Sequence, residues 1–228
     1  MNIIVIGSNG RMGSTICSIL SGSKHTVIGI DRHNTGILEG LLDRADLVII
    51  ATPFDATVKY LEHISSRVRC MELTSAKSAM NRFRDMVISI HPLFGPGSVA
   101  DSEMRNIAFI SDISPVDSFD LVQELFKGFA VIPMTAEEHD DLVSRIQVIP
   151  YIMSMLAEQL CTPVDLSTRS RRILDSLAAI CNEQNRTVLM DTIVRNPFSI
   201  RVLKDIEEKL NKLGGEIYDR CSNNWIQH

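Results

Sequence analysis

Aromatic residues are scarce in this chain of 228 residues: one tryptophan and three tyrosines, with Phe, Tyr and Trp together making 5% of the composition. A surface that stacks nucleic-acid bases needs such side chains, so their scarcity argues against one. Positive charge is short as well. The 23 Lys and Arg against 28 Asp and Glu leave a formal net charge of −5 with no basic block, which speaks against nucleic acid and against an anionic membrane surface. Paired cysteines are missing: Cys17, Cys70, Cys161, Cys181 and Cys221 form no C-x-x-C and no zinc spacing, so reduced thiols and no metal site are expected. No apolar run is long enough to span a bilayer, and the N-terminus reads as a strand rather than a signal peptide. Internal repeats and low-complexity segments are absent. The expectation is a soluble cytoplasmic chain, with 45% hydrophobic residues to build a core.

Short β-branched runs alternate with helical stretches over the first part of the chain. The candidate strands are 2–6, 26–30, 46–51, 69–74, 87–91, 107–111 and 130–133. Met12, Ile16 and Leu20 recur at helical spacing after the first strand, and a further helix is predicted over 117–126. Such alternation predicts a parallel sheet covered on both faces. From Thr135 on only amphipathic helical pattern remains. Thr135-Ala136-Glu137-Glu138 has the form of a capping box, opening a helix through Leu142 and Ile146 towards Leu160 that Pro150 should kink or split. Helices are predicted over 166–185 and 187–194, and a last one starts after Asn196-Pro197 and ends at Gly214-Gly215. The expected class is therefore α/β: a Rossmann-like parallel-sheet domain over 1–135, followed by a smaller all-helical domain over 136–228. So small and apolar a helical segment predicts a second subunit, a homodimer formed through it.

Function is read from the strand ends, since ligands of open α/β sheets bind beyond the carboxyl ends of the strands. The first strand passes into Gly7-Ser8-Asn9-Gly10-Arg11-Met12-Gly13 and at once into a helix. Glycines there let the backbone approach a pyrophosphate, and the first helical N–H groups hold its charge. Ser8 stands where the usual G-x-G-x-x-G pattern has its first glycine. The second strand ends at Asp31, placed to accept the ribose hydroxyls of NAD, while Arg32 beside it leaves NADP open. The next strands end at Thr52-Pro53, at Ser75-Ala76-Lys77 and at His91-Pro92. His91 opens the constrained loop Pro92-Leu93-Phe94-Gly95-Pro96-Gly97, which reads as a catalytic rather than a structural setting. His139-Asp140, in the first turn of its helix, reads instead as a cap or a domain-junction hydrogen bond.

The glycine loop with Arg11-Met12-Gly13, the Ser75-Ala76-Lys77 turn, His91-Pro92-Leu93-Phe94-Gly95-Pro96 and Thr135-Ala136-Glu137-Glu138-His139-Asp140 occur in one order. In this the chain resembles the prephenate and arogenate dehydrogenases of tyrosine biosynthesis. Gln147 and the stretch 184–197 are similar to that family's helical domain. The resemblance implies oxidative decarboxylation of prephenate with NAD, in a homodimer. It implies that His91 takes the proton of the substrate hydroxyl and that Ser75 binds the other ring nitrogen or the substrate, with Lys77 as a further substrate contact. An arginine that clamps the substrate carboxylates in that family falls here at Ile180, and a histidine of the first helix falls at Tyr151. Arg172 and Arg186 are the leading replacements, with Arg169 and Arg145 behind them; Tyr151 is retained as a substrate contact. Three other readings follow: an arogenate dehydrogenase, an imine or cofactor reductase of similar build, and a cofactor-binding regulatory domain without catalysis.

Overall fold

A computed structural model describes residues 1–22, 24–95, 97, 101, 104–183 and 185–225. Seven strands form one sheet in the order β2-β1-β3-β4-β5-β6-β7. They are β1 (Asn2–Ile6), β2 (Thr26–Ile30), β3 (Leu47–Ile50), β4 (Cys70–Glu72), β5 (Val87–Pro92), β6 (Asn106–Ile110) and β7 (Ala130–Met134). Each predicted strand is present. The expectation of a wholly parallel sheet needs one correction: β5 and β6 run antiparallel, with His91 opposite Ala108, while every other neighbouring pair is parallel. A parallel return needs a crossover, usually a helix, and among the described residues no α-helix lies between Pro92 and Asn106.

Period-two alternation sorts the strand side chains onto two faces, and both are covered. Ile4, Ile6, Val48 and Ile50 pack with Leu38 and Leu42 of α2 (Leu38–Leu42) and Leu61 and Ile64 of α3 (Phe54–Ile64). Ile3, Val5, Ile49 and Met71 pack on the other face with Ile16 and Leu20 of α1 (Arg11–Ser21) and Val122 and Leu125 of α4 (Phe119–Leu125). β1 stands between β2 and β3, so the chain leaves it in opposite directions and opens a crevice at its carboxyl end.

Among the described residues five α-helices follow β7: α5 (Ala136–Val143), α6 (Ile149–Leu160), α7 (Arg169–Glu183), α8 (Arg186–Arg195) and α9 (Ser199–Trp225). The capping box at Thr135 is complete: its hydroxyl accepts from Glu138 N at 3.2 Å, and Thr135 N donates to Glu138 Oε2 at 2.8 Å. Pro150 splits the long helix rather than kinking it. Its ring has no N–H for the preceding turn, and one π turn, Ser144–Val148, takes up the mismatch so that Pro150 falls in the first turn of α6. A second correction concerns α9, which runs straight through Gly214-Gly215 to Trp225. Neither glycine takes the positive φ of a helix stop, and a helix-interior glycine costs only about 1 kcal/mol, which the surrounding helical residues outweigh.

Candidate active site

The glycine loop leaves β1 at the crevice. Gly7 has φ +87°, and a Cβ there would sit 2.5 Å from the Ala51 carbonyl oxygen; one on Gly13 would sit 2.0 Å from the Gly7 oxygen. These glycines let α1 start against the strand ends. Its N-cap, Gly10, offers no side-chain cap, and no acidic residue stands in its first turn, so the leading N–H groups point out uncompensated. That is a cradle suited to a pyrophosphate, and the sequence-identified loop residues fit the group in this respect. Ser8 is accommodated by a glycine on the neighbouring strand: a Cβ at Gly29 would lie 2.7 Å from Ser8 Oγ. Asp31 is held by Asn9 Nδ2 on Oδ2, by His33 N on Oδ1 at 2.7 Å, and through its own N–H donating to Asn34 Oδ1 at 2.6 Å. A carboxylate has about four acceptor sites, so ribose hydroxyls still find room on it. Arg32 is exposed, with Nε on His33 Nε2 at 3.3 Å.

In front of the loop lies a cavity of about 320 Å³. Gly10, Arg11, Met12, Thr52 and Pro53 line one end, Ser75 and His91 the middle, and Gln147, Tyr151, Asn185, Asp191 and Thr192 the helical wall. Gly7, Ser8, Asn9, Gly13, Asp31 and Arg32 do not line it. Pro96 of the histidine loop and Gln184 lie outside the described residues.

His91, at the end of β5, is the centre of a buried chain of hydrogen bonds. Its Nδ1 lies 2.9 Å from His139 Nε2, and His139 Nδ1 lies 2.9 Å from Asp140 Oδ1. Protonation states follow from the charges. The Asp140 carboxyl is held below the usual aspartate range: burial works against this, but hydrogen bonds from His139 and from the Ser78 and Lys77 amides outweigh it. Asp140 can therefore only accept, and His139 Nδ1 carries the proton. Burial pulls His139 below the usual histidine value, so it is neutral and its Nε2 accepts from His91 Nδ1–H. Burial, then His139 and the Lys77 charge, pull His91 well below 6.5, so it too is neutral and its Nε2 is a free acceptor. No described residue bonds to that nitrogen, and it is not sealed off, because among the described residues no buried side-chain nitrogen or oxygen lacks a partner. The chain Asp140–His139–His91 thus presents one basic nitrogen to the cavity.

The structure corrects several sequence expectations. Ser75 does not orient His91; its hydroxyl lies 2.6 Å from Thr192 Oγ1, which itself donates to the Val188 carbonyl at 2.9 Å, so Ser75 donates across the cavity to the helical wall. Lys77 does not line the cavity. It is fully buried, with Nζ at 2.6 Å from Glu72 Oε1 and 2.7 Å from the Ile90 carbonyl. Burial draws its pKa down against the pull of Glu72, and Thr74 and Ser89 saturate the rest of that carboxylate. Arg172 is exposed on α7, and Arg186 pairs loosely with Glu158 at 3.6 Å; neither reaches the cavity. Tyr151 does line it, and burial pushes its hydroxyl up, which keeps it a donor. His139 and Asp140, read from sequence as a cap or junction, are joined to His91 across 48 residues, a pairing no local pattern announces. The Asp140 carboxylate also takes Lys77 N at 3.0 Å and Ser78 N at 2.8 Å, which ties the Ser75 turn to α5.

The fold, a Rossmann-like mixed sheet followed by a C-terminal helical bundle, matches that of solved dehydrogenase structures. Within that class the likeness is to the prephenate and arogenate dehydrogenases. The prephenate dehydrogenase of Aquifex aeolicus, solved with hydroxyphenyl propionate and NAD+, superposes with a TM-score of 0.74 at 16% identity, covering 100% of this chain and 94% of that one. Synechocystis arogenate dehydrogenase gives 0.69 at 16% identity, covering 96% and 93%. An imine reductase from Bacillus cereus gives 0.51 at 17% identity, covering 84% and 75%. In sequence, the T-protein of Haemophilus influenzae is 23% identical over 158 residues, covering 64% of this chain and 41% of that protein. A probable arogenate/prephenate dehydrogenase of Methanocaldococcus jannaschii is 20% identical over 236 residues, covering 96% and 50%. The chain thus spans half or less of the length of these curated relatives. No family model matches it.

Proposed function

We propose that this chain is an NAD(P)-dependent dehydrogenase that oxidatively decarboxylates prephenate to 4-hydroxyphenylpyruvate, a step of tyrosine biosynthesis in the cytoplasm. The observation that carries the reading is the His91 imidazole, held by His139 and Asp140 with its Nε2 left as an acceptor, in a cavity that also opens on the α1 N-terminus. The α1 amides and Arg11 bind the pyrophosphate, and Asp31 binds the ribose, so NAD is the expected cofactor. A nicotinamide held there would supply the hydride acceptor for oxidation at the ring carbon that bears the substrate hydroxyl. That hydroxyl donates to His91 Nε2, which takes its proton as the carbonyl forms. The imidazolium so created is stabilised through His139 by the Asp140 carboxylate. Loss of carbon dioxide then leaves an aromatic ring, which drives the step.

The reading includes a homodimer. Leu203, Ile206, Leu210, Leu213 and Ile217 alternate at three- and four-residue steps along α9, and Leu203, Leu210, Leu213 and Ile217 are each about half exposed. Such a seam fits a helix of a second copy.

A second reading, a cofactor-binding regulatory domain, is favoured by the helical wall, which among the described residues brings no cation to the cavity; Tyr151 stands there and Ile180 falls outside it. One assay separates the two: purified protein with prephenate or arogenate and NAD or NADP, following reduced cofactor. Turnover is expected. Tight NAD binding with no turnover of either substrate would establish the regulatory reading instead.

A further inference from the structure

Two threonines at the cofactor end of the cavity form a closed hydrogen-bonded pair. Thr52 follows β3 and lines the cavity; Thr57, one turn into α3, is fully buried and does not. The Thr57 hydroxyl lies 2.9 Å from the Thr52 carbonyl oxygen and 2.9 Å from Thr52 Oγ1. A hydroxyl has one proton to give, and a carbonyl oxygen can only accept. Both contacts are therefore satisfied only when Thr57 donates to the carbonyl and Thr52 Oγ1 donates to Thr57. The other branch of the same side chain borders the glycine loop, since a Cβ on Gly7 would sit 3.1 Å from Thr52 Cγ2. A β-branched side chain so placed keeps one rotamer. With its proton committed to Thr57, the oxygen that Thr52 offers the cavity can only accept. The α1 N-terminus at the same end offers N–H donors, with Arg11 as a cation beside them. These two kinds of group sort the halves of a dinucleotide. Phosphate oxygens are anionic acceptors, which the α1 amides attract and a fixed acceptor repels. The nicotinamide nucleoside brings donors instead, in its ribose hydroxyls and its carboxamide N–H groups.

We propose that Thr57 is a positioning residue for the cofactor. It fixes the Thr52 hydroxyl as a dedicated acceptor for a donor of the nicotinamide nucleoside, either a ribose hydroxyl or the carboxamide. This rests on the NAD(P) reading above and deepens it. A freely turning hydroxyl would donate as readily as accept, and could bond to the pyrophosphate instead; the buried partner removes that choice. The nicotinamide half is thereby drawn to the side of the cavity away from α1.

The test is calorimetric titration of the full chain with NAD, ADP-ribose and ADP. ADP-ribose keeps the second ribose without the nicotinamide, and ADP lacks both. Thr57→Val is nearly isosteric and takes away the acceptor for the Thr52 proton. It should weaken NAD by about twofold to tenfold, the range of one neutral hydrogen bond, and leave ADP unchanged. Thr57→Ser keeps the hydroxyl and should bind NAD as the parent does. Thr52→Val should lose as much as Thr57→Val, and the double variant no more than either, because the two side chains act as a unit. If ADP-ribose weakens along with NAD in Thr57→Val, the donor is the ribose; if ADP-ribose is unchanged, it is the carboxamide. Either result supports the assignment. A Thr57→Val protein that binds NAD as tightly as the parent, or that loses ADP in the same proportion, would overturn it while leaving the cofactor reading intact. A parent that binds none of the three would overturn both together.

Discussion

The sheet wall and the helical wall of the cavity are held in different ways. On the sheet side, the cavity residues sit at the ends of strands whose side chains are almost wholly buried in two large clusters, one on each face. Their polar groups are locked as well: Glu72 with Lys77, Asp140 with the Ser75 turn, and His91 with His139. The helical wall rests on a cluster of five buried residues, Val143, Val148, Leu189, Ile193 and Val202, and leaves Ile173, Val194 and Ile200 largely exposed and Leu213 about half exposed. It touches the sheet side through a few polar contacts, chiefly Ser75 to Thr192 and Arg195 to Asp55. Proton transfer demands atoms fixed within a fraction of an ångström, and the rigid side supplies them. Tyr151 and Ile180, the positions where the sequence departs from the family it resembles, lie on the loosely held side.

The largest expected effect falls on the rigid wall. His91→Asn removes the acceptor nitrogen, and turnover should drop by about 10²–10⁴-fold while NAD affinity stays near the parent value. Steady-state kinetics with a separate titration of NAD binding check this. A variant that keeps the parent's kcat would take His91 out of the chemistry and erase the contrast between the walls.

Next in size is a dependence of stability on pH. His91 and His139 are both held below 6.5, chiefly by burial, so the unfolded chain takes up protons near pH 6.5 that the folded chain refuses. Stability is therefore complete above that value and is lost as pH falls from 6.5 towards the lowered folded values. The slope is up to about 1.4 kcal/mol per pH unit for each histidine. Urea midpoints at pH 7 and pH 5.5 should differ accordingly, and His139→Gln should flatten the difference. Equal midpoints in the parent would mean that the pair is not buried neutral.

Much of the rigid wall is legible in the sequence because its signals are local. The seven strands show as β-branched runs, the glycine loop by its own spacing, and the capping box by Thr135 and Glu138. The antiparallel β6 is not legible, because strand direction depends on which partner a segment finds. Lys77 misleads for a related reason: its burial depends on Glu72 and the Ile90 carbonyl, groups on two neighbouring strands. His139 carries a signal of its own, but its meaning comes from His91, brought to it only when α5 packs beneath the sheet. Ser8 looks like a defect until Gly29 on β2 is seen to make room for it. On the helical wall the helices are legible and the contacts are not, since Asp191, Thr192 and Arg195 stand at ordinary helical positions whose facing is set by tertiary packing.

The smallest effect expected on the protomer is the most telling about the helical side. Leu213 is 53% exposed on α9, whose 27 residues extend about 40 Å. Replacing it with glutamate removes little buried area within one chain, so the change in protomer stability should stay within about 0.5 kcal/mol. In a homodimer the same change places a charge in the seam between two helices, where no partner awaits it. Leu213→Glu should therefore leave the far-ultraviolet spectrum intact and convert a dimer to a monomer in sedimentation equilibrium. It should also lower the thermal midpoint in a way that depends on protein concentration in the parent and not in the variant. If the parent sediments as a monomer, the apolar stripe on α9 is covered by something other than a second copy. The weakness of the helical wall would then be intrinsic to the protomer rather than made good by assembly.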